Sequence, residues 1–319
     1  MKLRRTVSAV VLVIFLCGSA AGQAAVAVVG GGSRLSAVEE KSLQKFIAAK
    51  SRGTGRGFNL YSREDERLMG DDAAAEIDES VKLLRAESVV AYLDGLARKL
   101  ALQSGAKEME FHFKIVDSDE VNAMALPNGM VYVNSGLLIA AESESELAGV
   151  VAHEIAHVAA RHATRAATRR GIWGAAALGM AMMGGGIGQA LQPAVGVAGG
   201  GFLMKFSRDS EREADLLALG YLDAAGYDPH SFVSLLERMS LAAQGSKGRV
   251  ATALTKMNAS HPGTSERVRR AQRAIELMLA ARELYVDDTS EFSEARATII
   301  ALTHPEMVES SRPVLRHPN

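Results

Sequence analysis

The stretch HEIAH, residues 153–157, constrains this chain more than any other feature. Ser143 stands three residues before Glu146, and Leu147, Val150, Val151, Ile155 and Val158 follow at helical spacing. That is a capping box opening an amphipathic helix, expected over residues 143–168. At about 100° per residue, His153 and His157 lie within about 40° of each other on one face of that helix. Two imidazoles so placed can grip one ion. Glu154, roughly 100° round from His153, stands beside the ion without occupying its site. A catalytic zinc takes three protein ligands and leaves a fourth position for water, which it acidifies. The fold must therefore bring a third ligand to this helix, and Glu154 is the candidate general base.

Cys17 is the only cysteine and falls in the leader described below, so the third ligand is a histidine or a carboxylate. The segment SRDSEREADLLAL supplies Glu211, Glu213 and Asp215 on a helix expected over residues 209–224, closed by Gly226, Asp228 and Pro229. Glu211 and Asp215 are four apart and share a face, whereas Glu213 points about 200° away from Glu211. The simplest assignment makes Glu211 the ligand. Asp215 then accepts a ring N–H from a ligand histidine and fixes its tautomer, and Glu213 is a solvated residue of an acidic helix start. On a continuous helix His162 lies about 180° from His153 and is expected to face away from the metal.

Ahead of the HEIAH helix the hydrophobic period changes. Residues 111–116, 121–126 and 130–133 read as short strands, with Pro127-Asn128-Gly129 as the turn between the last two. Asn122, Ala123 and Met124 are candidates for an edge strand that aligns a substrate. Apolar residues recur at helical spacing over 35–49 and 73–102, and further helices are expected over 231–241 and 265–285. The fold class is mainly α with a small antiparallel β-sheet. Residues 171–201 are apolar, uncharged and rich in glycine. A lid over the active site and a buried packing hairpin fit them equally well, and a lid could also touch a membrane; two spans of about 20 residues each cannot fit. The expected organisation is an N-terminal helix and linker at 25–72, one metallopeptidase domain at 73–285 and a polar tail with some helix at 286–319.

Residues 1–24 carry Lys2, Arg4 and Arg5, an apolar run from Val7 to Cys17 and then small residues, the pattern of an export signal peptide. Without Cys17 the chain can form no disulfide, which suits an oxidising compartment. With 36 Lys+Arg against 37 Asp+Glu, nothing recommends a nucleic-acid partner.

These motifs together resemble a known family. VNAMALPNGMVYVNSGLL, ELAGVVAHEIAHVAARH, SRDSEREAD, AAGYDP and HPGTSER, spread over about residues 60–275, are similar to the zinc endopeptidases that include the membrane heat-shock protease HtpX, the CAAX prenyl protease and their periplasmic, signal-peptide-bearing relatives. The resemblance implies a zincin-type fold and one zinc per chain held by His153, His157 and Glu211, with Asp215 in support. It also implies hydrolysis of misfolded or misassembled envelope proteins in the periplasm of a Gram-negative-type bacterium. The alternative is a mostly latent protease fold that escorts outer-membrane precursors. Relatives usually have an aromatic residue at Met124 and a glycine at Asn128. No helical-repeat domain, as some relatives carry, is expected after the core.

His261 precedes Pro262, which biases it toward an extended conformation on a loop ahead of the helix near Ser265. In the periplasmic relatives that loop lies near the active site. His261 is therefore a candidate to take the fourth zinc position in a resting state, the alternative being that it packs the loop. Arg267 on the following helix is then a candidate to stabilise the oxyanion or the substrate backbone.

Overall fold

The computed structural model describes residues 57–182, 206–244, 265–280 and 282–306, with a few single residues elsewhere, among them His261. The expected export signal, nearly all of the helix expected over 35–49 and most of the 171–201 segment lie outside the described residues.

Helix α1 (Arg63–Ser80) opens on a complete capping box. Asp65 N–H donates to the Ser62 hydroxyl at 3.1 Å, and Ser62 N–H donates to the Asp65 carboxylate at 2.7 Å. This box starts the helix well ahead of residue 73. Extended Val81 ends it, and β1 (Leu83–Leu84) separates it from α2 (Glu87–Ala101). The face of α2 carrying Val89, Leu93, Leu96 and Leu100 is buried, as its three- and four-residue spacing requires.

Strands β2 (His112–Val116), β3 (Ala123–Ala125) and β4 (Met130–Asn134) complete a four-stranded sheet ordered β1-β2-β4-β3. β3 and β4 form an antiparallel hairpin. Its turn needs Gly129, whose φ of 91° lies in the left-handed region and whose N–H donates to Leu126 O at 3.0 Å. The hairpin places β4 next to β2, and since the chain has reversed twice by then, that pair is parallel. The sheet is mixed rather than antiparallel throughout, and β3 is left at its edge.

After α3 (Ser135–Ala140) comes α4 (Glu144–Ala159), every residue of which is buried. Ser143 caps α4 by accepting from Glu146 N–H at 3.3 Å. The reciprocal arm is absent, because Glu146 accepts from Glu142 N–H and from Arg238 instead. α4 does not run on to residue 168. It ends at Ala159, Arg161 adopts a left-handed φ of 58°, and α5 (His162–Met182) starts afresh at the next residue.

α6 (Arg208–Ala225) is closed by left-handed Gly226 alone. Asp228 and Pro229 open α7 (Pro229–Ala243) rather than close α6: the Asp228 carboxylate accepts from His230 N–H at 2.9 Å, and Pro229 starts the helix. α8 (Ser265–Met278) stops short of residue 285. α9 (Ser290–Thr303), in the stretch read as a tail, buries Phe292, Ala295 and Ile299 and packs on α2 and α3.

The core lies around α4, which packs most extensively on α6 and also on α7, α2 and β3. Leu147 and Ile155 of α4, Leu216 and Leu217 of α6 and Phe232 of α7 are at most 2 % exposed. Burying each contributes about 1.5–3 kcal/mol. That packing holds α4 and α6 in close register, so the polar residues the two helices share must find partners within it. No helix among the described residues is long and apolar enough to cross a membrane.

Candidate active site

α4 and α6 each contribute one face of a buried polar cluster. His153 and His157, one turn apart on α4, bring their Nε2 atoms within 3.0 Å of each other. Across from them Glu211 of α6 stands with its carboxylate oxygens 3.5 Å from His153 Nε2 and 3.6 Å from His157 Nε2. His261 enters from the loop before α8, its Nδ1 at 3.3 Å from His153 Nε2 and 3.1 Å from Glu211 Oε1. Ligand atoms of these four residues all lie within 4.8 Å of one another.

The cluster fits a metal. Imidazole nitrogens on one tetrahedral zinc at about 2.0–2.1 Å stand roughly 3.3 Å apart, close to the spacings seen here. Three ring nitrogens and a carboxylate converging away from water offer one cation a complete set of donors. The electrostatics agree. Burial opposes charge on Glu211, but hydrogen bonds from His153 and His261 outweigh it and hold the carboxyl far below its usual range. Burial likewise opposes charge on His153, yet Asp215 and Glu211 raise it to about 9. His157 is pushed well below its ordinary value by burial and by the neighbouring His153.

Glu154 stands at the rim, almost fully buried. Its Oε2 accepts from Ala125 N–H of β3 at 3.0 Å. Its Oε1 has no hydrogen-bond partner among the described residues and lies 3.5 Å from His261 Nε2. The sheet edge carrying Ala123 and Met124 is thus tied to the HEIAH helix through this carboxylate. Asn122, just ahead of β3, accepts from Asn134 N–H of β4 through its backbone carbonyl at 3.0 Å.

Asp215, one turn beyond Glu211, places Oδ1 3.1 Å from His153 Nδ1, off the axis of a ring N–H that makes no hydrogen bond among the described residues. Arg267 lies behind both carboxylates. Its Nε and Nη2 donate to the two Asp215 oxygens at 2.8 and 2.6 Å, and its Nη1 is 3.1 Å from Glu211 Oε2. Burial alone would raise the Asp215 pKa; Arg267 and His153 lower it instead. The Arg267 guanidinium thus faces the Asp215 and Glu211 carboxylates together.

Two expectations are corrected. His162 does not face away from the metal cluster: its Nδ1 lies 2.9 Å from His157 Nδ1, and its ring sits edge-on to His157 with centroids 4.8 Å apart. The angular extrapolation fails because the helix breaks at Arg161, so His162 belongs to a different helix. Glu213 is not a solvated residue. It is largely buried, accepting from His162 Nε2 and from Arg165, each at 3.2 Å. Burial lowers the pKa of His162 against the pull of Glu213.

Sequence reasoning also missed Phe206, stacked on His157 with centroids 4.1 Å apart, and Glu66 of α1. Glu66 accepts from Arg161 Nε at 2.7 Å and from the Thr164 hydroxyl at 2.6 Å, while Arg161 Nη2 donates to Tyr61 O at 2.6 Å. These bonds hold the left-handed Arg161, a conformation that costs on the order of 1–3 kcal/mol unless its surroundings impose it. Neither glycine nor proline marks the break, so the sequence carries no local signal for it.

Known proteins with similar sequences are named as proteases, some of them as metalloproteases. The chain is 29% identical over 259 residues to the beta-barrel assembly-enhancing protease of Escherichia coli strain K12, covering 78% of this chain and 51% of that protein. It is 29% identical over 224 residues to the mitochondrial metalloendopeptidase OMA1 of Schizosaccharomyces pombe, covering 68% and 63%. It is 27% identical over 214 residues to the metalloprotease LoiP of E. coli K12, covering 66% and 81%. The chain thus spans about half the length of the assembly-enhancing protease. His153, Glu154 and His157, with the distal Glu211, form the HExxH-plus-Glu arrangement of a metalloendopeptidase. Residues 85–275, more than half of the chain, match the model of Peptidase family M48, and the chain belongs to that family.

Proposed function

We propose that this chain is a zinc-dependent endopeptidase, with one zinc per chain held by His153, His157 and Glu211, that cleaves misfolded or misassembled envelope proteins in the periplasm of a Gram-negative-type bacterium. The observation that carries this reading is the buried convergence of those donors with Glu154 at their rim, tied to an edge strand. The envelope setting rests on the relatives, one of which is named for enhancing β-barrel assembly.

A zinc ion held there supplies a Lewis acid that polarises a peptide carbonyl and acidifies water. Glu154, anchored through Oε2 on Ala125, offers Oε1 to take the water's proton and then to deliver it to the leaving amine. The open edge of β3, from Asn122 through Ala123 and Met124, gives an extended peptide a strand to pair with. Asp215 orients His153, and Arg267 holds Asp215. Glu154→Gln keeps zinc and fold but lowers peptidase activity by about 10²–10⁴-fold. Activity within tenfold of wild type at full zinc content refutes the assignment.

The position of His261 favours a second reading, in which the resting enzyme is latent. His261 sits among the donors and beside Glu154, and in this reading its ring excludes the attacking water. A fold latched in this way acts mostly as a binding protein or chaperone for outer-membrane precursors. At equal zinc content, His261→Ala then cleaves an unfolded model substrate, or itself, faster than wild type. Unchanged or lower activity with normal stability removes the latch. A Glu154→Gln strain that behaves like wild type rather than like a deletion supports the chaperone role.

A further inference from the structure

We infer that His162, oriented by Glu213, is the positioning residue for the metal ligand His157, through a tautomer relay that runs from carboxylate to imidazole to imidazole. The inference rests on the reading of His157 as a ligand.

The proton positions follow from the distances. His157 Nε2 points into the donor cluster, 3.0 Å from His153 Nε2 and 3.6 Å from Glu211. To bind a metal through Nε2, His157 must carry its proton on Nδ1. That atom lies 2.9 Å from His162 Nδ1, and only one of the two can hold a proton along this axis. His162 must therefore accept, which puts its own proton on Nε2. Nε2 lies 3.2 Å from Glu213 Oε2, an oxygen that Arg165 Nη1 also reaches at 3.2 Å. A carboxylate only accepts, so Glu213 fixes the His162 tautomer, and His162 in turn fixes that of His157.

The backbone is built to deliver this arrangement. His162 is the first residue of α5 and is almost completely buried. Its approach to His157 depends on the left-handed turn at Arg161, which Glu66 and Tyr61 hold from α1. On an unbroken helix, five residues place His162 roughly 140° round from His157, out of reach of its ring. The chain thus maintains a strained residue at the one point that brings the second imidazole into contact with the ligand.

The test is the dissociation constant of Zn2+ for the full chain, measured by competition with a chromophoric chelator. His162→Phe keeps a ring in the same packing but removes the acceptor, and it should weaken zinc binding by about 10–100-fold. His162→Asn places an amide oxygen near the position of Nδ1, and it should recover most of that loss. Zinc binding by His162→Phe within threefold of wild type overturns the proposal. So does an equal loss in both variants, because packing rather than the acceptor would then be responsible. His157→Ala distinguishes this failure from failure of the site itself: if His157→Ala binds zinc like wild type, the ligand assignment is wrong whatever His162 does.

Discussion

The two metal-facing histidines sit one turn apart on the same helix, yet the protein holds them in opposite ways. Behind His153 lies a charged flank: Asp215 against the ring, and Arg267 bonded to both Asp215 oxygens and close to Glu211. Behind His157 lies a neutral imidazole, His162, with the charge withdrawn one residue further to Glu213 and Arg165. The first flank's carboxylates raise His153 to about 9 against its burial, while burial and the neighbouring His153 push His157 well down. The pair thus consists of one histidine that holds an extra proton until metal displaces it and one that is neutral, with its metal-facing nitrogen free. The contrast teaches that a metal ligand can be oriented without a carboxylate beside it when a second imidazole passes the hydrogen bond along.

The largest effect separates the carboxylates of α6. Glu211→Ala loses zinc, whereas Glu213→Ala retains it with a loss below about tenfold, since Glu213 acts only through His162. Zinc content of the two purified variants decides the matter, and the reverse pattern would assign the ligand to the wrong carboxylate. The next contrast is in stability. Arg267→Met leaves Asp215 and Glu211 buried beside each other without their cation and should cost about 3–5 kcal/mol in urea unfolding. His162→Phe, which strands only hydrogen-bonding groups, should cost about 1–3 kcal/mol. Equal costs would mean that the two flanks do not differ as described.

The last contrast is a pH dependence confined to the His153 flank. Its pKa in the metal-free protein is raised from 6.5 to about 9, so below about 9 zinc must expel a proton to bind there. Apparent zinc affinity therefore rises with pH, by up to roughly tenfold per unit below about 9, and levels off above. His157, held well below its ordinary 6.5, adds no such dependence above that value. Asp215→Asn removes a charge that keeps the proton on His153 and should flatten the curve. A profile unaltered by Asp215→Asn would show that the proton is held elsewhere.

The parts of the site legible in the sequence are those that depend on a single regular helix. His153 and His157 share a face, as do Glu211 and Asp215, because helical periodicity fixes the angle between residues four apart. The strands and the Gly129 turn were legible for the same local reason, through alternation and a residue free to adopt a positive φ. Tertiary structure alone decided the rest. Residues 111–134 contain nothing that says β4 rather than β3 pairs with β2, because the pairing is a choice between distant backbones. Nothing in AARHAT announces a helix break, since Arg161 has no intrinsic preference for a left-handed conformation; Glu66, about a hundred residues away, and Tyr61 impose it from another helix and its approach. The reach of Arg267 to Asp215 and of His261 to Glu211 likewise spans some fifty residues and depends on how α6 and α8 pack. Local sequence sets which side chains share a face. Only the packed core sets which faces meet, because close packing and the need to pair most buried polar groups together select one arrangement of the helices.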